Sequence, residues 1–181
     1  EEKMTFKEKL YIILFSGIFL ALILSFISKH YTIAFAQQEC LPYKVFFIEK
    51  GKMPYRGEYV YFKGTHVPFY GEKIRLVKLL AATPYEDIIV ERAKKPETRK
   101  VTIKGIEREY TVKSYVKVPY KAMKLPAFEK GSTGKTLPQL PEGLITLKGY
   151  FVIGTHEGSY DSRYFGAIPE GDILGKAHPI L

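Results

Sequence analysis

The chain opens on an apolar block, LYIILFSGIFLALILSFI, that runs from Leu10 to Ile27 without a charge. Coiled as a helix, such a block rises about 27 Å, close to the hydrocarbon thickness of a bilayer. The pattern predicts a membrane anchor over residues 10–28, a short cytoplasmic N-terminus over 1–9 and an extracytoplasmic domain over 30–181. Lys3, Lys7 and Lys9 set that orientation, because basic flanks stay in the cytoplasm while acidic neighbours such as Glu1, Glu2 and Glu8 count for little. A cleaved leader is the rival, since Ala34, Phe35 and Ala36 have the small-x-small form of a cleavage site. The length of the block, and Lys29 between it and that site, favour the anchor. Lipid attachment at Cys40 does not fit, because Gln37, Gln38 and Glu39 stand where small residues would be needed.

Beyond residue 30 the polar and apolar positions alternate in short runs. Strands are predicted over Val45–Ile48, Glu58–Phe62, Ile74–Ala81 and Asp87–Glu91, the last two flanking a turn at Thr83, Pro84, Tyr85 and Glu86. Alternation is clearest over Tyr110–Val118, where the period is near two. Leu144–Ile153 reads as a last strand pair around Gly149, and Pro126–Gly143 as a long loop. No amphipathic helix of useful length follows residue 30. The predicted fold class is mainly β: a membrane helix followed by a β-rich domain carrying a β-ribbon or loop insertion at about 92–143.

Composition adds bounds. The 181 residues hold one anchor and one domain large enough to bury a core, and 46% hydrophobic content with 14 Tyr and 12 Phe excludes global disorder. One cysteine forms no internal disulfide. Between Arg92 and Lys135 thirteen Lys/Arg face four Glu, a surplus of nine that equals the formal charge of the whole chain. Such a segment reads either as the solvated face of a β-ribbon or as a surface drawn to anionic lipid. Nucleic acid is not expected as a partner, because no recognition module is visible.

Two apparent motifs are decoys. Gly134, Lys135 and Thr136 resemble the end of a phosphate-binding loop, but Glu129 stands where its first glycine belongs, and Pro138 and Pro141 follow where a helix would start. His30, His66, His156 and His178 lack ligand spacing, so no metal and no cofactor are expected, and His156 reads as a turn residue.

The remaining candidates are Cys40 in Cys40-Leu41-Pro42, Lys78 among Leu76, Val77, Leu79 and Leu80, and the string from Gly154 to Gly166 that contains Ser159, Asp161, Ser162 and Arg163. Peptide-bond chemistry needs a nucleophile, a group that takes its proton and donors for the oxyanion. A lysine is such a base only when neutral, a form that apolar surroundings favour. On a strand, Leu76 and Leu80 share the face of Lys78. Taken alone, Lys78 would read as an exposed strand lysine.

The order of these boxes changes that. Cys40-x-Pro42, Gly57–Phe62, Val77–Pro84, and Gly154 with Ser159-x-Asp161-Ser162-Arg163-Tyr164-Phe165-Gly166 resemble the successive boxes of the signal peptidase I family of Ser-Lys membrane proteases, over residues 38–178. Within the family the chain is most similar to TraF-type conjugative transfer peptidases, which mature pilin precursors. The resemblance implies Cys40 at the nucleophile position, Lys78 as general base and Ser159 orienting it. It implies oxyanion donors at the Cys40 backbone and Gln38, and structural support from Pro42, Gly154, Arg163 and Gly166. Asp161 is either a partner of Arg163 or itself catalytic.

Serine is usual where Cys40 stands. A natural cysteine nucleophile, a cysteine introduced for serine and a space-filling residue are all open. A thiol ionises far more readily than an alcohol, so a reactive thiol beside Lys78 is chemically sound. About a dozen residues separate Ile27 from Cys40, which tethers the nucleophile within about 45 Å of the bilayer. The resemblance also implies shallow pockets for small side chains and an extended substrate paired to the site edge. Tyr31, Ile33 and Phe35 read either as a substrate-contacting surface or as a plain linker.

The expected activity is that of a membrane-anchored endopeptidase of the inner (cytoplasmic) membrane. It would process pilin or conjugative-transfer precursors by cleavage or cyclisation, with the lipid bilayer, a membrane-inserted pilin or preprotein, and conjugation or type IV secretion components as partners. A general signal peptidase and a catalytically inactive scaffold of a conjugation or pilus apparatus are the alternatives.

Overall fold

The computed structural model describes residues 4–36, 40–68, 74–103 and 105–181. Helix α1 spans Phe6–His30 and exposes its apolar side chains all round, as a helix that meets lipid must. Over Lys9–His30 its mean hydropathy reaches 2.7, long and apolar enough to cross a bilayer. The helix runs past the uncharged block at both ends, because the flanking Lys, Glu and Ser residues are compatible with helical backbone. Lys50 donates to the carbonyl of Ser28 at 2.7 Å, supplying a cation and a donor where the last turn has unsatisfied carbonyls.

No linker follows. His30 ends α1 and Tyr31 opens β1, Tyr31–Phe35, so the segment carrying Tyr31, Ile33 and Phe35 is a strand rather than a free tether. The remaining strands are β2 Val45–Lys50, β3 Tyr59–Lys63, β4 Arg75–Ala82, β5 Asp87–Ile103, β6 Ile106–Val118, β7 Met123–Phe128, β8 Gly143–Thr146, β9 Phe151–Ile153 and β10 Ile173–Pro179. They form a six-stranded sheet, β1-β2-β10-β3-β4-β9, and a four-stranded sheet, β7-β6-β5-β8. Neighbouring strands in both sheets run antiparallel.

The largest core cluster joins the sheets. Leu79, Ala81 and Ala82 of β4 and Phe151 and Ile153 of β9 pack with Ile88 and Val90 of β5 and Val116 and Val118 of β6. Each fully buried large apolar side chain contributes about 1.5–3 kcal/mol relative to exposure, so this seam holds the sheets together. The turn at Thr83–Glu86 carries the chain from one sheet to the other. The Glu86 carboxylate accepts from the Thr83 N–H at 2.7 Å and from its hydroxyl at 3.0 Å, which closes the turn.

Several expectations need correction. Leu144–Ile153 is not a strand pair: β8 joins β5 in one sheet and β9 joins β4 in the other, because both sheets need a strand at that seam. The ribbon is longer than its clean alternation. β5 continues through the charged stretch to Ile103 and pairs with β6 over Ile89–Arg92 and, beyond a bulge, over Glu97–Ile103, since a two-sided polar ribbon still satisfies its backbone across the ladder. β7 absorbs Pro126–Phe128 of the expected loop, whose remainder is pinned by Gln139, which accepts from Ser114 at 3.1 Å and donates to the Phe128 carbonyl at 3.0 Å. β10 carried no recognisable pattern, with Gly175 and Pro179 interrupting it, yet it lies between β2 and β3.

Candidate active site

Lys78 sits mid-strand on β4 opposite Val60 of β3, and only 3% of it is exposed. Its face is shared by Leu76 and Leu80, which pack in one cluster with Val60 and Val152. The side chain ends on Ser159: Nζ donates to its Oγ at 2.7 Å. Ser159 is 1% exposed and is placed by the segment after β9, where its N–H donates to the His156 carbonyl at 3.0 Å.

The same segment grips Cys40. The Cys40 carbonyl accepts from the Thr155 N–H at 2.8 Å, more weakly from the His156 N–H at 3.4 Å, and from the Thr155 hydroxyl at 3.3 Å. Gly154 makes this approach possible. A Cβ on it would lie 2.1 Å from Ser159 Oγ and 2.9 Å from the Cys40 carbonyl oxygen, closer than atoms can pack. Cys40 and Lys78 then line one cavity of about 300 Å³ with Ala34, Ala36, Leu41 and Leu76. Its walls thus come from the strand that leaves the membrane helix, from the Cys40 turn and from β4.

Behind the cavity lies a buried ion pair. Arg163 Nε donates to Asp161 Oδ1 and Nη2 donates to Oδ2, both at 2.8 Å, with side-chain exposures of 1% and 0%. Burial works against the guanidinium charge, but Asp161 outweighs it and the Arg163 pKa is raised, with smaller contributions in that direction from Tyr164 and Cys40. Arg163 also donates to the carbonyls of Pro126 at 2.6 Å, Glu157 at 3.1 Å and Ser159 at 2.9 Å. Asp161 Oδ2 accepts from the Gly154 N–H at 2.8 Å and Oδ1 from the Arg163 N–H at 3.2 Å. Both carboxylate oxygens are therefore engaged inside the box. Such a pair fixes geometry more than it adds stability.

Residues 6–181 match the family described as signal peptidase, peptidase S26. The chain belongs to this family. It is also similar to a probable conjugal transfer protein TraF of Sinorhizobium fredii, at 36% identity over 64 residues, 35% of this chain and 32% of that relative. The match thus spans about a third of the relative's length. The protein is a peptidase of the signal-peptidase type, and its N-terminal helix is long and apolar enough to anchor it in a membrane.

The structure of the peptidase brings Cys40, Lys78, Gly154, Ser159, Asp161 and Arg163 together, although 123 positions in sequence separate Cys40 from Arg163. Pro42 lies exposed in the turn after Cys40, where its fixed φ helps shape the exit from that turn. Gly166, at φ 81°, ends the one-turn helix α2, Ser162–Phe165, and its N–H donates to the Ser162 carbonyl at 3.0 Å. Gln38 lies outside the described residues. His156 serves its own turn, with Nδ1 accepting from the Gly158 N–H at 3.1 Å. Among the described residues no three His, Cys, Asp or Glu side chains gather as a metal site.

Three contributors escaped sequence reasoning. Ser162 Oγ accepts from the Val152 N–H at 2.9 Å, and Tyr164 Oη accepts from the Phe128 N–H at 3.0 Å, tying the box to β9 and β7. Glu157 meets Arg99 of the ribbon at 3.0 Å. Ser162 and Tyr164 lie within the recognised box, but a hydroxyl that accepts from a distant backbone N–H leaves no local trace in sequence.

Proposed function

We propose that Cys40 and Lys78 act as a nucleophile and base pair, and that the peptidase cuts a membrane-inserted precursor of a pilus or conjugation apparatus. The observation that carries this reading is Lys78, withdrawn from solvent, bonded to Ser159 and facing the same cavity as Cys40. The Lys78 amine takes the thiol proton, and the sulfur attacks the scissile carbonyl. Charge gathers on the carbonyl oxygen, where the Cys40 N–H and the Gln38 side chain would donate; one such donor is worth about 10²–10³ in rate. Collapse breaks the C–N bond, and the departing amine takes the proton back from Lys78.

The thioester left on Cys40 has two fates. Water releases a trimmed precursor and regenerates the thiol; an amine of the same polypeptide instead closes a cyclic product. Ser159 holds the lysine in place, while Asp161 and Arg163 hold the box. In this reading α1 crosses the cytoplasmic membrane once and the sheets lie on its extracytoplasmic side, so substrates with an apolar leader reach the cavity by lateral diffusion. The conjugal transfer name of the relative supports the substrate class. The match to signal peptidases along nearly the whole chain supports a second reading, removal of leaders from secretory proteins in general.

Intact-mass analysis of candidate pilin precursors, with and without the full chain in membranes, tests the proposal. A cut product supports hydrolysis, and a product one further water lighter supports cyclisation. Cleavage of many unrelated preproteins supports the general reading. If no precursor is cut with either Cys or Ser at position 40, the catalytic proposal fails.

A further inference from the structure

A second cavity, of about 250 Å³, abuts the first across the Lys78–Ser159 hydrogen bond: Lys78 lines one and Ser159 the other. The ribbon and the loop after β7 build it. Ile103 ends β5, Tyr110 lies on β6 and Phe128 ends β7, and together with Leu137 they supply apolar wall. The ribbon is seated firmly on the active-site box. A Cβ on Gly158 would lie 2.7 Å from Ile103 Cδ1, and Arg99 pairs with Glu157 at 3.0 Å. Arg108 donates to the Ser132 carbonyl at 2.6 Å, which fixes the loop to the ribbon.

The lining has one sign of charge. Lys130 and Lys135 contribute to it and no carboxylate does, among the described residues. The hydroxyls of Ser132 and Thr133 belong to the same loop wall. Tyr110, 7% exposed, also lines the cavity, and its buried hydroxyl has no hydrogen-bond partner among the described residues, a group that a bound polar atom could satisfy.

Direction follows from the membrane. α1 passes without a break into β1, and Ala34 of that strand and Ala36 just after it wall the first cavity. A membrane-inserted leader therefore approaches through the first cavity, and the segment beyond the scissile bond departs on the other side. Given the peptidase chemistry proposed above, on which this inference rests, we infer that the second cavity receives the first residues beyond the cut and selects an apolar side chain followed by a carboxylate.

The test uses the full chain in nanodiscs and two readouts. Precursors identical up to the cut carry Phe-Glu, Phe-Lys or Gly-Gly after it. Phe-Glu is expected to exceed Phe-Lys in kcat/KM by about fivefold, the effect of one exposed ion pair. Lys130→Glu, at an exposed position, is expected to reverse that order. Because the chain has no Trp, the fluorescence of an added Trp-Glu-Glu or Trp-Lys-Lys peptide reports binding without turnover. Tighter binding of the acidic peptide, lost in Lys130→Glu, supports the inference. Equal kcat/KM for the three precursors, or peptide binding that ignores Lys130, overturns it. Failure to cut any precursor, with acidic-peptide binding intact, instead overturns the catalytic proposal and with it the assignment of this cavity to a leaving segment.

Discussion

Lys78 Nζ and Ser159 Oγ lie 2.7 Å apart across 81 positions of sequence, and that bond is where strand β4 meets the Ser159–Arg163 box. Without it the lysine would be a buried amine with nothing to aim it. With it, the nitrogen is fixed at the wall of the cavity that Cys40 also lines.

Lys78→Met keeps the length and apolar stem of the side chain but removes the amine proposed as base. Turnover is expected to fall by at least about 10²-fold, the usual scale of general-base catalysis, while the thermal transition moves little. Ser159→Ala should lower kcat more than it raises KM, because it frees the Lys78 amine that Ser159 holds in place. Steady-state kinetics beside thermal scans separate these outcomes; a collapse of folding in Lys78→Met would mark the lysine as structural.

Gly154→Ala places a methyl group against Ser159 Oγ and the Cys40 carbonyl. Overpacking of this kind costs about 1–3 kcal/mol, and here the displaced groups belong to the site. Loss of activity is expected to exceed the loss of stability, and thiol labelling of Cys40 by an alkylating reagent should change in rate. Unchanged kinetics would show that the box does not position the nucleophile.

Asp161→Asn leaves the Arg163 guanidinium buried without its counter-charge. Removing one member of such a pair costs about 3–5 kcal/mol, far more than the intact pair contributes. Urea denaturation of the full chain in detergent should register that loss. Because both Asp161 oxygens are held by Arg163 and the Gly154 N–H, a catalytic defect in any folded variant is expected to track the disorder of the box.

Tyr164 carries a pH signature. Burial is the largest effect on its phenol and raises its pKa above the ordinary value of 10.0. An acid whose folded pKa is raised keeps its proton after the unfolded chain has lost it, so its contribution to stability is complete below about pH 10 and is lost as pH rises through the folded value. Denaturation midpoints are expected to hold up to about pH 10 and then fall. Tyr164→Phe should flatten part of that decline while weakening the protein at neutral pH, because the Phe128 N–H loses its acceptor.

Much of the fold was legible because its signals are local. The membrane helix follows from uninterrupted hydrophobicity, and β6 from an alternation that the structure reproduces as buried Tyr110, Val112, Ser114, Val116 and Val118. Lys78 and the Ser159–Arg163 string were legible as family boxes, and the structure sets them beside one another. What stayed hidden depended on partners far along the chain. β10, broken by Gly175 and Pro179, is a strand because β2 and β3 each need a neighbour, and β8 and β9 part company because two sheets meet there.

The sequence by itself settled the long apolar helix, the β character of the domain and the kinds of residue available for chemistry, since each is a property of neighbouring side chains. Only the tertiary structure decided that Lys78 is withdrawn from water, that Asp161 spends both oxygens on the box, and that the basic ribbon folds back to wall a second cavity. Burial and long-range pairing arise when distant segments close on one another, and no local pattern records which ones will meet.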